Sequence, residues 1–153
     1  MDADATGSIA QIMVVDDDPD TVTILTRYLQ REGFATIEAL SGRQCLKLVA
    51  EHHVDVILLD LMMPEMDGFE VVLALKSNPA SAEIPIIMVT ARDDIEARSE
   101  GMRVGVSDFL AKPVFRKQLA NRIKAQLDTI ATARSIDDAL SRIEVSSDGV
   151  NKK

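Results

Sequence analysis

The chain has 153 residues, 46% of them hydrophobic and 27% charged, which suits one domain with its own core and a short tail rather than a disordered chain. Seventeen basic residues against 25 acidic ones leave a net charge of −8, which repels a phosphate backbone and argues against direct nucleic-acid binding. The single cysteine forms no internal disulfide. The longest uncharged stretch, Ala5 to Val15, is too short for a bilayer, and no basic residue precedes an apolar run as in a secretory signal, so the expected setting is cytoplasmic with no membrane contact.

Residues 1–9 read as a disordered tail. The run Ile12–Val15 is the first strand. Asp18 before Pro19 caps a helix whose inner face carries Val22, Leu25 and Leu29, and Gly33 stops it. Phe34–Ala39 is a second, more mixed strand. Ser41 caps a second helix with Leu46 and Val49 inward and Cys45 as a small buried or half-buried hydrophobe. Val54–Leu59 is the third strand. Asp67-Gly68 opens a third helix, in which Phe69, Val72, Leu73 and Lys76 fall three or four residues apart. After the fourth strand, Ile84–Val89, Asp93 and Glu96 form a capping-box-like pair opening a fourth helix that Gly105 closes. Phe109–Ala111 is a weaker fifth strand.

A fifth helix follows Pro113. Phe115, Leu119, Ile123, Leu127 and Ile130 form one stripe, extended by Ile136, Leu140 and Ile143. This is either one helix from about Val114 to Glu144, whose second half projects and must find a partner, or two helices broken near Arg134. Residues 10–127 make the main domain, 128–145 a helical extension, and 146–153 a disordered end.

Val- and Ile-rich continuous runs are the mark of parallel strands covered on both faces. Alternated with helices five times, they predict an α/β sandwich with a parallel sheet; the expected form is a flavodoxin-like (βα)5 three-layer sandwich with an extended C-terminal helix, its strands in the common order 2-1-3-4-5.

Ligands of such sheets bind beyond the carboxyl ends of the strands. Asp16, Asp17 and Asp18 follow the first strand, Asp60 the third, Thr90 the fourth and Lys112 the fifth. Taken singly, each is ordinary: Asp18 is an N-cap, Asp16-Asp17 a solvated loop, Asp60 and Thr90 strand ends. In the 2-1-3-4-5 order, however, Asp16, Asp17 and Asp60 converge, flanked by Thr90 and Lys112. Three carboxylates in one crevice repel one another, and a hard divalent cation, Mg²⁺ above all, relieves that. With a hydroxyl and an ammonium beside them, they are equipped to receive a phosphoryl group on a carboxylate.

The segments VVDDDP (Val14–Pro19), LLDLMMPEMDGFE (Leu58–Glu70), IIMVTA (Ile86–Ala91) and GVSDFLAKP (Gly105–Pro113) closely resemble the receiver domain of two-component response regulators. The resemblance runs from about Gln11 to Leu127. It implies that Asp60 is the phosphoacceptor, that Asp17 ligates Mg²⁺ directly and Asp16 mostly through a water, and that the backbone carbonyl of Met62 completes the metal site. It further implies that Thr90 and Lys112 bind phosphoryl oxygens, that the Lys112–Pro113 peptide is cis, and that Phe109 is the aromatic switch residue, here without the hydroxyl many relatives carry. Met62 and Arg92 would flank the phosphoryl group. An apolar Met offers no hydrogen bond to an attacking water, so slow self-dephosphorylation is expected.

The implied partners are a sensor histidine kinase or histidine phosphotransfer protein and a downstream protein target, reached by a changed surface of the fourth helix, fifth strand and fifth helix. The protein would be a signalling phosphoacceptor that promotes its own phosphorylation and dephosphorylation rather than an enzyme. Competing readings are a phosphorylation-independent interaction or dimerisation module and the regulatory fragment of a larger output protein. The 26 residues from Asp128 to Lys153 are too few for a winged helix or a cyclase, but their stripe would serve a homodimer. His52-His53 point in different directions on a helix and cannot jointly clamp a metal, and no nucleotide-binding glycine loop is present.

Overall fold

A computed structural model describes residues 9–92 and 94–151, with side chains to Ile143. Five strands and five helices alternate: β1 (Gln11–Val15), α1 (Pro19–Arg31), β2 (Ala35–Ala39), α2 (Gly42–Glu51), β3 (Val56–Leu59), α3 (Gly68–Lys76), β4 (Ile86–Thr90), α4 (Ile95–Val104), β5 (Asp108–Ala111) and α5 (Arg116–Asn151). All neighbouring strands are parallel, in the order β2-β1-β3-β4-β5. The predicted flavodoxin-like sandwich is therefore observed.

Alternation along each strand builds the two faces. Ile12 and Val14 of β1, Val56 and Leu58 of β3, and Ile87 and Val89 of β4 turn toward Val22, Leu25 and Leu29 of α1 and Leu119 and Ile123 of α5. Met13, Val15, Ile57, Leu59, Ile86 and Met88 turn the other way, toward Cys45 of α2, Val71, Val72 and Leu75 of α3, and Ala97 and Val104 of α4. Each large aliphatic side chain buried this way contributes roughly 1.5–3 kcal/mol, which is why both strand faces are apolar.

Local details depart from the sequence reading. The inner face of α3 is Gly68, Val71, Val72 and Leu75, while Leu73 is exposed. A nine-residue helix that is apolar almost throughout carries little periodicity, and the close approach of Gly68 to β3 sets its rotation instead. The N-cap of α4 is Asp94, whose carboxylate accepts from the Ala97 amide at 2.7 Å, and Asp93 lies outside the described residues. Val54 is buried but precedes β3, and Ile84 stands before Pro85, which has no N–H to give a ladder. Phe115 is exposed rather than part of the inward stripe.

The fifth helix is continuous across Arg134 and is assigned to Asn151, past residue 145, where the helical extension was expected to end. Among the described residues, no helix is long and apolar enough to cross a membrane.

Candidate functional site

The sheet register assembles the site. Val15 pairs with Leu59, and the Asp60 amide donates to the Val15 carbonyl at 3.0 Å, so Asp16 and Asp60 leave adjacent strands side by side. Thr90 pairs with Ala111, and the Lys112 amide donates to the Thr90 carbonyl at 2.9 Å. The Lys112–Pro113 peptide is cis, as expected.

Carboxylate oxygens of Asp16, Asp17 and Asp60 all lie within 4.8 Å of one another. Asp16 and Asp60 are buried and Asp17 is exposed, so the cluster sits at the floor and lip of an open crevice. Lys112 Nζ reaches in from β5, 2.7 Å from Asp16 Oδ2 and 3.3 Å from Asp60 Oδ2. Thr90 is fully buried, and its hydroxyl lies near enough to Asp60 to pull that carboxyl's pKa down. The Met62 amide donates to Asp60 Oδ1 at 3.3 Å, and the Asp18 amide to Asp16 Oδ1 at 3.0 Å.

Burial, and then the charge of Asp16, push the Asp60 carboxyl above its ordinary range, against the pull of Lys112 and Thr90. Burial works the other way on Lys112, but its bond to Asp16 and the charge of Asp60 more than offset it and raise the ammonium's pKa. The site thus holds a repulsive group of carboxylates that one lysine only partly neutralises. A set of oxygens with an exposed lip suits a hard divalent cation that keeps some of its waters.

The lip is apolar. Leu61, Met62, Met63, Asp67, Phe69 and Arg92 line a shallow cleft beside the carboxylates, and Met62 is 60% exposed. Arg92 gives its amide to Thr90 Oγ1 at 3.3 Å and its Nε to Asp94 Oδ2 at 3.1 Å. Since Asp94 caps α4, a chain of contacts runs from Thr90 to that helix.

Phe109 is already buried, 5% exposed, with its ring edge against Gly101 and the Arg98 guanidinium 5.0 Å from its centroid. Two residues escaped the sequence reading. Arg98 carries no local signal, because its partner is eleven residues away. Gly68 reads in the sequence only as a helix opener, yet a Cβ there would lie 2.6 Å from the Asp60 carbonyl oxygen.

The sequence profile of the response regulator receiver domain matches residues 12–124. The chain belongs to the response regulator receiver family. Among similar proteins, the heme response regulator HssR of Staphylococcus saprophyticus is 38% identical over 115 residues, 75% of this chain and 50% of that protein. The transcriptional regulatory protein SrrA of Staphylococcus aureus is 38% identical over 117 residues, 76% of this chain and 47% of that one. The chain thus spans about half the length of these relatives. Among solved structures, chemotaxis protein CheY4 of Vibrio cholerae superposes with a TM-score of 0.74 at 30% identity, over 77% of this chain and 98% of that one. The receiver domain of a signal transduction histidine kinase from Syntrophus aciditrophicus gives 0.73 at 30% identity, over 79% and 92%. The profile match runs from Ile12 in β1 to Lys124 in α5 and so includes the carboxyl ends of all five strands.

Proposed function

We propose that this receiver accepts a phosphoryl group on Asp60, in a Mg²⁺-dependent transfer from a sensor histidine kinase or histidine phosphotransfer protein, and thereby changes the α4-β5-α5 surface seen by a downstream protein. The observation that carries the proposal is the convergence of Asp16, Asp17 and Asp60 within 4.8 Å, with Lys112 bridging two of them.

Asp60 attacks phosphorus through a carboxylate oxygen. An O–P bond forms, the P–N bond to the donor imidazole breaks, and the nitrogen leaves with the electron pair. Asp17 directly, Asp16 largely through water, Asp60 and the Met62 carbonyl would hold the metal. Bound there, Mg²⁺ supplies positive charge to the phosphoryl oxygens and relieves the repulsion among the carboxylates. Lys112 is positioned to exchange its Asp60 contact for a phosphoryl oxygen, and Thr90 Oγ1 to donate to another. These groups act as catalysts of the chain's own modification.

The conformational consequence follows from the Thr90 contacts. Drawing the hydroxyl toward the phosphoryl group takes it from the Arg92 amide, and Arg92 in turn holds the N-cap of α4 through Asp94. Phosphorylation shifts the population only as far as it binds one arrangement better than the other. Phe109 is buried against α4 with Arg98 over its ring, so a shift of α4 would be felt at Phe109. Met62, exposed and without a polar atom to hold water, supports slow self-dephosphorylation.

The test is intact-protein mass after incubation with acetyl phosphate, with and without Mg²⁺, beside Asp60→Ala. One added phosphoryl group that requires both Mg²⁺ and Asp60 is expected. An adduct that persists in Asp60→Ala, or no adduct together with no beryllofluoride binding, would instead favour a module that works without phosphorylation.

A further inference from the structure

The second half of α5 has no work to do within its own domain. Leu119, Ala120 and Ile123 are buried against the sheet and Leu127 partly so. From Ala131 to Ile143 every residue is exposed. At 1.5 Å per residue, the exposed stretch from Ala131 to Ile143 alone projects about 20 Å beyond that support. An isolated helix of this length is marginal in water and is ordinarily stabilised by packing of an apolar face.

Such a face exists. Ile136, Leu140 and Ile143 are 54%, 51% and 60% exposed and follow the four-then-three spacing of a coiled-coil seam, with Ala133 one step before them. Ala131, Thr132, Ser135 and Ala139 line a shallow groove beside Ile136, so small side chains let another backbone approach. The opposite side is polar: Arg134, Asp138 and Arg142 succeed one another at intervals of four, the spacing of supporting ion pairs along a helix.

We propose that this stripe is a seam for a second copy of the chain, forming a parallel two-stranded coil that holds two receivers at the same end. The stripe is self-complementary about a two-fold axis along the helices. Charge disposition favours the parallel arrangement. Asp137 follows the seam position Ile136, and Thr132 precedes the seam position Ala133. In a parallel pair these two flanks meet, so the Asp137 carboxylate faces a Thr132 hydroxyl that can donate to it. An antiparallel pair centred on the stripe turns the two Asp137 sides toward each other. The seam is short, so association is concentration-dependent.

Sedimentation of the full chain at tens of micromolar is expected to give twice the chain mass. Leu140→Glu is expected to give the single-chain mass, with unchanged circular dichroism in the receiver's melting transition and unchanged phosphorylation by acetyl phosphate. That last readout separates this proposal from the phosphoacceptor reading. Orientation is read by crosslinking. Cys45 is buried with its thiol pushed up to about 12, so it stays silent and an introduced cysteine reports alone. Ile136→Cys and Ile143→Cys are each expected to form a disulfide-linked dimer when oxidised separately. A monomeric full chain, a four-chain mass, or a dimer that survives Leu140→Glu would overturn the seam. Crosslinking only in a mixture of the two cysteine variants would overturn the parallel arrangement.

Discussion

Gly68 ties the acceptor strand to α3, and Gly68→Ala is expected to destabilise the receiver although it adds one methyl group to a helix. The added Cβ would lie 2.6 Å from the Asp60 carbonyl oxygen and 2.7 Å from Leu61 Cα. Both are backbone atoms with no rotamer to turn aside. Carbon atoms rest about 3.5–4.0 Å apart, so relief requires a shift on the order of 1 Å between α3 and the end of β3. That shift is resisted by the Gly68 amide's bond to the Leu61 carbonyl at 2.8 Å and by the Asp67–Glu70 capping box. Overpacking of this kind costs about 1–3 kcal/mol, and alanine's better helix propensity returns at most about 1 kcal/mol. A net loss of about 1–2 kcal/mol corresponds to a Tm lower by about 2–8 °C in a domain of this size. Thermal melts followed by circular dichroism measure it, and the same variant should take up phosphoryl groups more slowly because Asp60 is displaced. A Tm equal to or above that of the parent would refute the packing account.

Removing the lysine should expose the repulsion it masks: Lys112→Met leaves Asp16 and Asp60 without their cation and is expected to cost about 1–3 kcal/mol, much of it recovered by Mg²⁺ in a urea titration. Asp60→Asn should do the opposite. An acid whose folded pKa is raised contributes stability below its unfolded value, about 4, and loses it as pH rises through the folded value. The Asn variant should therefore melt above the parent at neutral pH without Mg²⁺, the gap closing toward pH about 4, and equal melting at neutral pH would contradict the stated burial and repulsion. Arg98→Ala removes a cation–π contact of about 0.5–1 kcal/mol and should broaden or shift the Phe109 ring resonances, whereas an unchanged ring spectrum would show that Arg98 does not hold the ring. Native Cys45 should resist thiol reagents until the chain unfolds.

The fold was legible because parallel strands buried on both faces leave continuous runs such as Val56–Leu59, and because the caps Asp18, Ser41 and Asp67 are local chemistry. The site was legible because the topology brings the carboxyl ends of β1 and β3 together, which pairs Asp16 and Asp60 although they are 44 residues apart in sequence. Other features depend on packing that short patterns do not encode. The rotation of α3 is set by Gly68 against the Asp60–Leu61 backbone just past β3, and the N-cap of α4 falls on one of two adjacent aspartates. The burial of Phe109 beneath Arg98 joins two separate elements. Spacing alone leaves a break near Arg134 and an unbroken stripe equally sound; the helix runs through.

The central claim is that Asp60 becomes the aspartyl phosphate. Its most direct test is borohydride trapping after incubation with acetyl phosphate and Mg²⁺, followed by peptide mass mapping. An acyl phosphate is reduced to the alcohol, so homoserine is expected at position 60, only in samples that received both phosphodonor and metal. Homoserine at position 16 or 17, or an unmodified residue 60 in phosphorylated protein, would contradict the account.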